Sequence, residues 1–155
     1  MNPTAPPLSV SWRWRHFDAF SGPDWHRVLK LRAEVFVVEQ RCLYLDPDHK
    51  DPHCWHLELI AGGELLGTLR VAPPGIGYDE SSVGRVCIHE NGRGQGLARQ
   101  MMHRAIEFSS HRWNIGIRLS AQLYLQTFYE SLGFVVVGAP YDEDGIPHIE
   151  MLLPP

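Results

Sequence analysis

Between Val83 and Ala98 a short apolar run meets Gly92, Gly94 and Gly96, and a helical pattern follows at once. The segment reads Val-Gly-Arg-Val-Cys-Ile-His-Glu-Asn-Gly-Arg-Gly-Gln-Gly-Leu-Ala. A buried strand that becomes a helix within so few residues makes sheet and helix adjacent layers. Glycine has no Cβ, so the main chain here can approach a ligand closely. The first amides of a helix have no internal partners and sit at the positive end of its dipole. Together these features form a cradle for phosphate. The spacing excludes two nucleotide motifs. No Gly-Lys-Ser/Thr ends the turn, as a phosphate loop of NTPases would require, and glycines at every second residue do not fit Gly-x-Gly-x-x-Gly. Taken alone, the turn also fits a tight connection that binds nothing, so the rest of the chain has to decide.

The surrounding pattern predicts alternating elements. Val10 to Arg15 alternates apolar and polar residues, as a half-buried strand does. Ser21-Gly22-Pro23 breaks the chain and offers Asp24 as an N-cap for a helix over Trp25 to Gln40. Arg41 to Cys54 reads as a long polar loop. Strands are expected over Trp55 to Ala61 and Leu65 to Val71, with a hairpin at Gly62-Gly63-Glu64. Another follows over Val83 to Ile88, then a helix over Gln95 to Ser110. A strand over Ile115 to Ala121, a helix over Leu123 to Leu132 and a strand over Phe134 to Val137 come next. Tyr141 to Gly145 reads as an acidic turn before a last strand, His148 to Leu153. This order implies an α/β fold, or an α+β one with a mixed sheet. The 155 residues suit one domain over residues 8–155, behind a flexible tail, residues 1–7, that holds three prolines.

Composition narrows the class. A formal net charge of −4 gives no basic footprint for nucleic acid or an anionic membrane. Cys42, Cys54 and Cys87 are too few and odd in number for a disulfide framework, so a reducing, cytoplasmic setting is expected. No apolar run is long enough to span a bilayer. His49, His53, Cys54 and His56 raise the question of a metal. Pro52 argues against the helix that would align His49 with His53, and no second cysteine pair follows, so no metal is expected.

At Arg93-Gly94-Gln95-Gly96-Leu97-Ala98 the chain resembles the Gln/Arg-x-x-Gly-x-Gly/Ala motif of the GCN5-related N-acetyltransferase (GNAT) superfamily. Gln122 to Phe134, ending Phe-Tyr-x-x-x-Gly-Phe, is similar to that family's fourth helix. Leu31 to Cys42 with Tyr44 and Asp46, and Tyr141 to Ile149, resemble its ElaA-like branch. The likeness covers nearly the whole chain after the prolines. Glu150 departs from it, standing where similar proteins tend to have Gly. Gln122 stands where the wider family often has Asn, with the same donors and acceptor.

The resemblance implies a GNAT-like three-layer fold: a mostly antiparallel mixed sheet of about seven strands with flanking helices. It implies an acetyl-CoA-dependent N-acetyltransferase, with acetyl-CoA as cosubstrate and a small-molecule or peptide amine as acceptor. A homodimer is left open. Amides of Arg93, Gly94, Gln95, Gly96, Leu97 and Ala98 would hold the pyrophosphate. Val86, Cys87 and Ile88 would bond the pantetheine where the fourth strand splays from the fifth, and one of their amides would hold the oxyanion. Gln122 would bind the same arm. Tyr129 would protonate the leaving thiolate. The base stays open between Glu39, His89, Glu90, His148 and a water relay, with Glu39 taken as the catalytic candidate. Arg85 reads as a site residue or a salt-bridge partner. The Asp142-Glu143-Asp144 stretch would attract a cationic amine. The alternative from another class is a CoA-binding sensor without turnover, because the same motifs would serve it.

Overall fold

Apolar–polar alternation over Val10–His16 produces an edge strand, β1, whose even-numbered tryptophans face the core. A computed structural model describes Pro6 and residues 8–155; the rest of the tail expected to be flexible lies outside the described residues. Strands β2 (Trp55–Ala61), β3 (Glu64–Ala72), β4 (Ser81–Ile88), β5 (Ile117–Gln122), β6 (Val135–Val136), β7 (Tyr141–Glu143) and β8 (Ile146–Leu153) complete the set. They form one sheet in the order β1-β2-β3-β4-β5-β8-β6, with β7 paired to β8 beside that path. Only β4 and β5 run parallel; the other pairs are antiparallel.

The sheet thus has eight strands where about seven were expected. The addition is β7, inside the stretch read as an acidic turn. The turn itself shrinks to Asp144-Gly145, with φ of 53° and 83°. Two successive positive φ values match the twist of a two-residue hairpin, and Asp-Gly accommodates them. Gly62-Gly63 joins β2 to β3 in the same way, with φ of 58° and 79°.

Helix α1 (Gly22–Arg32) starts earlier than expected, because Pro23 suits the first helical turn. Ser21, not Asp24, is the N-cap: its Oγ accepts from the Asp24 amide at 3.2 Å. Asp24 instead accepts from Arg15 at 2.9 Å. The expected helix to Gln40 does continue, but Ala33–Glu39 widens into a π-helix. A pattern of seven residues cannot separate that pitch from an α-helical one. Helix α2 (Leu97–Arg112) follows β4, and α3 (Gln126–Glu130) follows β5 after one 3-10 turn at Leu123–Leu125. Helix α3 is shorter than the pattern suggested. The chain turns as the Leu132 and Phe134 amides both donate to the Tyr129 carbonyl.

Two apolar clusters cover the two faces of the sheet. The larger joins Met101, Met102 and Ala105 of α2 to Leu57, Leu69, Leu119 and Met151 of the strands, with Tyr129 and Phe134. The smaller joins Leu31, Val35 and Phe36 to Leu65 and Cys87. Each fully buried methionine of α2 contributes about 1.5–3 kcal/mol by leaving water. That docking fixes the glycine turn at the helix start.

Candidate active site

The β4–β5 pairing consists of Ser81↔Ile117 and Ser82↔Arg118. Beyond it β4 continues to Ile88 and β5 to Gln122 without bonding each other. A bulge sits where they part. Between paired positions, β3 contributes Leu69 alone while β4 contributes both Arg85 and Val86. Arg85 carries the bulge with φ of 51°, a conformation that costs a residue with a Cβ on the order of 1–3 kcal/mol. An extra residue bends the bulged strand and increases its twist. A cavity of about 920 Å³ occupies the opening.

Main-chain groups on the free edge of β4 face this cavity. The His89 amide donates to Leu66 O at 2.8 Å, so the alternation of the antiparallel ladder turns the amides of Val86 and Ile88 away from β3. Ile88 O, on that free edge, accepts from Arg93 Nε at 3.0 Å. The main chain of Cys87 faces β3 instead, opposite Thr68. Its thiol is buried and pushed up to about 12 by desolvation, which makes it unreactive.

The glycine turn divides by role. Gly92 is buried, and a Cβ there would come within 2.8 Å of Leu66 Cδ2, so packing requires it. Gly94 and Gly96 have φ of 76° and 74° and border open space. The Arg93 amide, expected in the cradle, donates to Glu90 O at 3.3 Å in a 3-10 turn. The first bond within the helix runs from the Gln100 amide to Gly96 O at 3.2 Å. Among the described residues, the amides of Gly94, Gln95, Gly96, Leu97 and Ala98 have no protein acceptor. Five adjacent free donors at a helix start make an anion cradle. The Arg93 side chain reaches Glu39 instead: Nη2 donates to Glu39 Oε2 at 2.8 Å.

Tyr129 comes from α3 and lines the same cavity. Its ring packs edge-on against Phe128 and Phe134, with centroids 5.1 and 6.0 Å apart. Its hydroxyl has no protein partner among the described residues. Burial raises the phenol to about 12, so it stays protonated.

The end of the π-helix closes over the opening. Gln40 and Gln122 exchange two amide hydrogen bonds, at 3.2 and 3.1 Å. Cys42 Sγ donates to Asp144 O at 3.3 Å. These contacts link the α1 side of the molecule to the ends of β5 and β7. The Gln122 amide, expected to hold the pantetheine arm, is therefore already engaged by Gln40.

Among the base candidates, Glu39 and His148 line the cavity. Glu39 has Oε1 free of protein partners among the described residues. His148 is held on both nitrogens, by Ile146 O at 2.7 Å and by Glu143 at 3.1 Å. His89 caps the following turn through Nδ1, which accepts from the Asn91 amide at 3.1 Å, and Glu90 is exposed. Of the acidic stretch, Glu143 and Asp144 line the cavity. His49 and His53 are exposed, and His56 is buried with Nε2 3.2 Å from Asp51 O.

Sequence reasoning missed a buried ion network behind the cavity wall. Arg32, wholly buried, bonds Asp46 and Asp51, each at 2.8 Å. Arg70 bonds Asp48 at 2.6 Å and Asp51 at 2.8 Å. The Arg70 guanidinium offsets desolvation and holds the Asp48 carboxyl well below the usual carboxylate range. The available signal was the spacing of Asp46, Asp48 and Asp51 in a loop otherwise read only as polar.

A row of free helix-start amides beside two parting parallel strands suits a CoA thioester donor. Residues 37–154 match the family model described as acetyltransferase (GNAT) domain, and the chain belongs to that family of acyltransferases. Within it the chain is similar to ElaA of Escherichia coli, 35% identical over 145 residues that cover 92% of this chain and 95% of ElaA. The ElaA crystal structure superposes with a TM-score of 0.87, covering 93% of this chain and 99% of that one. An acyl-CoA N-acyltransferase from Pseudomonas aeruginosa superposes with a TM-score of 0.89 at 39% identity, over 93% of this chain and 99% of that one. A UPF0039 protein of Synechocystis is 41% identical over 147 residues, 94% of this chain and 96% of the relative. Among the described residues no helix is long and apolar enough to cross a membrane.

Proposed function

We propose that this protein transfers an acetyl group from acetyl-CoA to a primary amine, with both bound together in the cavity. The observation that carries this reading is the row of unpartnered amides from Gly94 to Ala98 beside the free edge of β4. Those amides hold the diphosphate, the Ile88 amide offers a main-chain bond to the pantetheine arm, and the Val86 amide holds the thioester oxygen as an oxyanion donor. Acetyl-CoA supplies the activated thioester carbonyl.

The amine nitrogen attacks that carbonyl carbon. A C–N bond forms, the C–S bond breaks, and the sulfur leaves with the electron pair. An alkylamine is ordinarily protonated, with a pKa near ~10.4, so a base must take its proton. Glu39 does so through its free Oε1 while Arg93 holds Oε2. Tyr129 donates a hydrogen bond to the departing sulfur. Full transfer from a phenol near 12 to a thiolate whose acid lies near ~8.5 is uphill by about 5 kcal/mol. The proton therefore moves onto sulfur only as the nitrogen loses its own. Simultaneous binding supplies much of the rate, because it makes the attack effectively unimolecular. Glu143 and Asp144 favour a cationic acceptor.

The test is calorimetric titration with acetyl-CoA, followed by a panel of primary amines with thiol release as the readout. Binding plus amine-dependent release is the expected result. Binding without release from any amine would favour a CoA sensor, and no binding would remove the reading of the site.

A further inference from the structure

Arg85 is an unusual residue to find in the left-handed region. Its φ of 51° falls at the bulge itself, where glycine is the common choice. Something must hold it there, and the side chain shows what does. Arg85 Nη2 donates to Asp46 O at 3.0 Å and lies 3.5 Å from Asp48 Oδ2. Its Nε lies 2.9 Å from Asp46 Oδ1, an ion-pair distance without the alignment of a hydrogen bond. The guanidinium also sits 5.5 Å from the centre of the Tyr44 ring.

These anchors are themselves immobilised. Asp46 is 4% exposed, and its carboxylate accepts from Arg32 Nε at 2.8 Å and from Tyr44 OH at 2.7 Å. Asp48 takes both Nη groups of Arg70, at 2.6 and 2.8 Å. Three arginines balance three aspartates, so the network carries no net charge into the cavity wall. Arg85 is the member that connects this rigid block to β4. Immediately after it comes Val86, whose amide points to the free edge.

We propose that Arg85 is a positioning residue: its grip on Asp46 and Asp48 fixes the β4 bulge so that the Val86 amide meets the thioester oxygen as negative charge grows there. The inference rests on the acyl-transfer reading above and adds a cause for the geometry of its oxyanion donor. Preorganised donors work because they need not reorient during the reaction. Freeing the bulge leaves the diphosphate cradle untouched, since that lies on the other side of Ile88.

Arg85→Gly is the informative variant, because glycine tolerates the φ while losing the grip. The expected result is a kcat lower by roughly ten- to a hundredfold, as for an ångström-scale misplacement, with the KM for acetyl-CoA within about threefold. Arg85→Lys keeps the charge but not the planar fork, so it should restore little of the rate. A second readout needs no acceptor: the infrared carbonyl band of bound, carbonyl-labelled acetyl-CoA. A hydrogen bond to that oxygen lowers the frequency in the wild type, and Arg85→Gly should move the band back toward its value in water. A lowered band that Arg85→Gly leaves in place, or a kcat within about twofold of wild type, overturns the inference alone. So does a parallel loss of kcat, KM and melting temperature, which marks a purely structural role. Wild-type protein that binds no acetyl-CoA overturns the reading of the site, and this inference with it.

Discussion

Tyr129→Phe removes one oxygen from the cavity wall. The hydroxyl has no protein partner among the described residues, and the ring keeps its contacts with Phe128 and Phe134. Stability should therefore hold or rise, because the change removes an unpaired hydroxyl from a buried ring and no native contact. Affinity for CoA should hold as well, because in the proposed complex the diphosphate sits on the amides from Gly94 to Ala98. What disappears is a hydrogen bond to sulfur as it becomes anionic. Hydrogen bonds to charged groups contribute about 1.5–3 kcal/mol. Taken from the transition state alone, that lowers kcat by roughly ten- to two-hundredfold. The assay is thiol release at saturating acetyl-CoA and amine, beside a calorimetric Kd for CoA. The phenol lies near 12, so its acid form persists throughout the working range. A fall in wild-type rate between about pH 8 and 10 would belong to another group. A kcat within about twofold of wild type, with binding intact, would refute the acid role.

Three further outcomes are expected. Gly96→Glu places a carboxylate in the open space at the helix start, at φ of 74°, and should weaken acetyl-CoA binding by more than about a hundredfold in calorimetry. A double-mutant cycle of Gln122→Ala with Gln40→Ala should show coupling of about 0.5–1.5 kcal/mol in denaturant unfolding. Burial lowers His56 from 6.5 to about 4, so the folded chain rejects a proton that the unfolded chain accepts. Its contribution is complete above about pH 6.5 and is lost as pH falls toward 4, by up to about 3 kcal/mol. Melts at a series of pH values should show this slope, and His56→Gln should flatten it.

Local chemistry wrote much of the scaffold directly into the chain. Alternation over Val10–His16, paired glycines at the β2–β3 hairpin and helical spacing through Met101 and Ala105 each depend on neighbours a few residues away. The glycine turn was legible for the same reason: free amides at Gly94 and Gly96 follow from where a helix starts. Side-chain partnerships behaved differently. Arg85 was visible as a charge on a strand, yet nothing nearby in the chain shows that Asp46 and Asp48 fix it. Gln122 was assigned to a ligand, and its partner Gln40 lies 82 positions away.

The sequence by itself determined the order of seven of the strands and of the helices between them, the glycine turn and the motifs that mark the acyltransferase family. Tertiary structure alone decided that β4 bulges at Arg85, that the end of the π-helix bridges to β5, and which acids line the cavity. The reason is range. Backbone conformation answers to residues within a turn or two. Ion pairs and cleft walls join segments that meet only once the sheet has closed, and a linear pattern carries no distance between them.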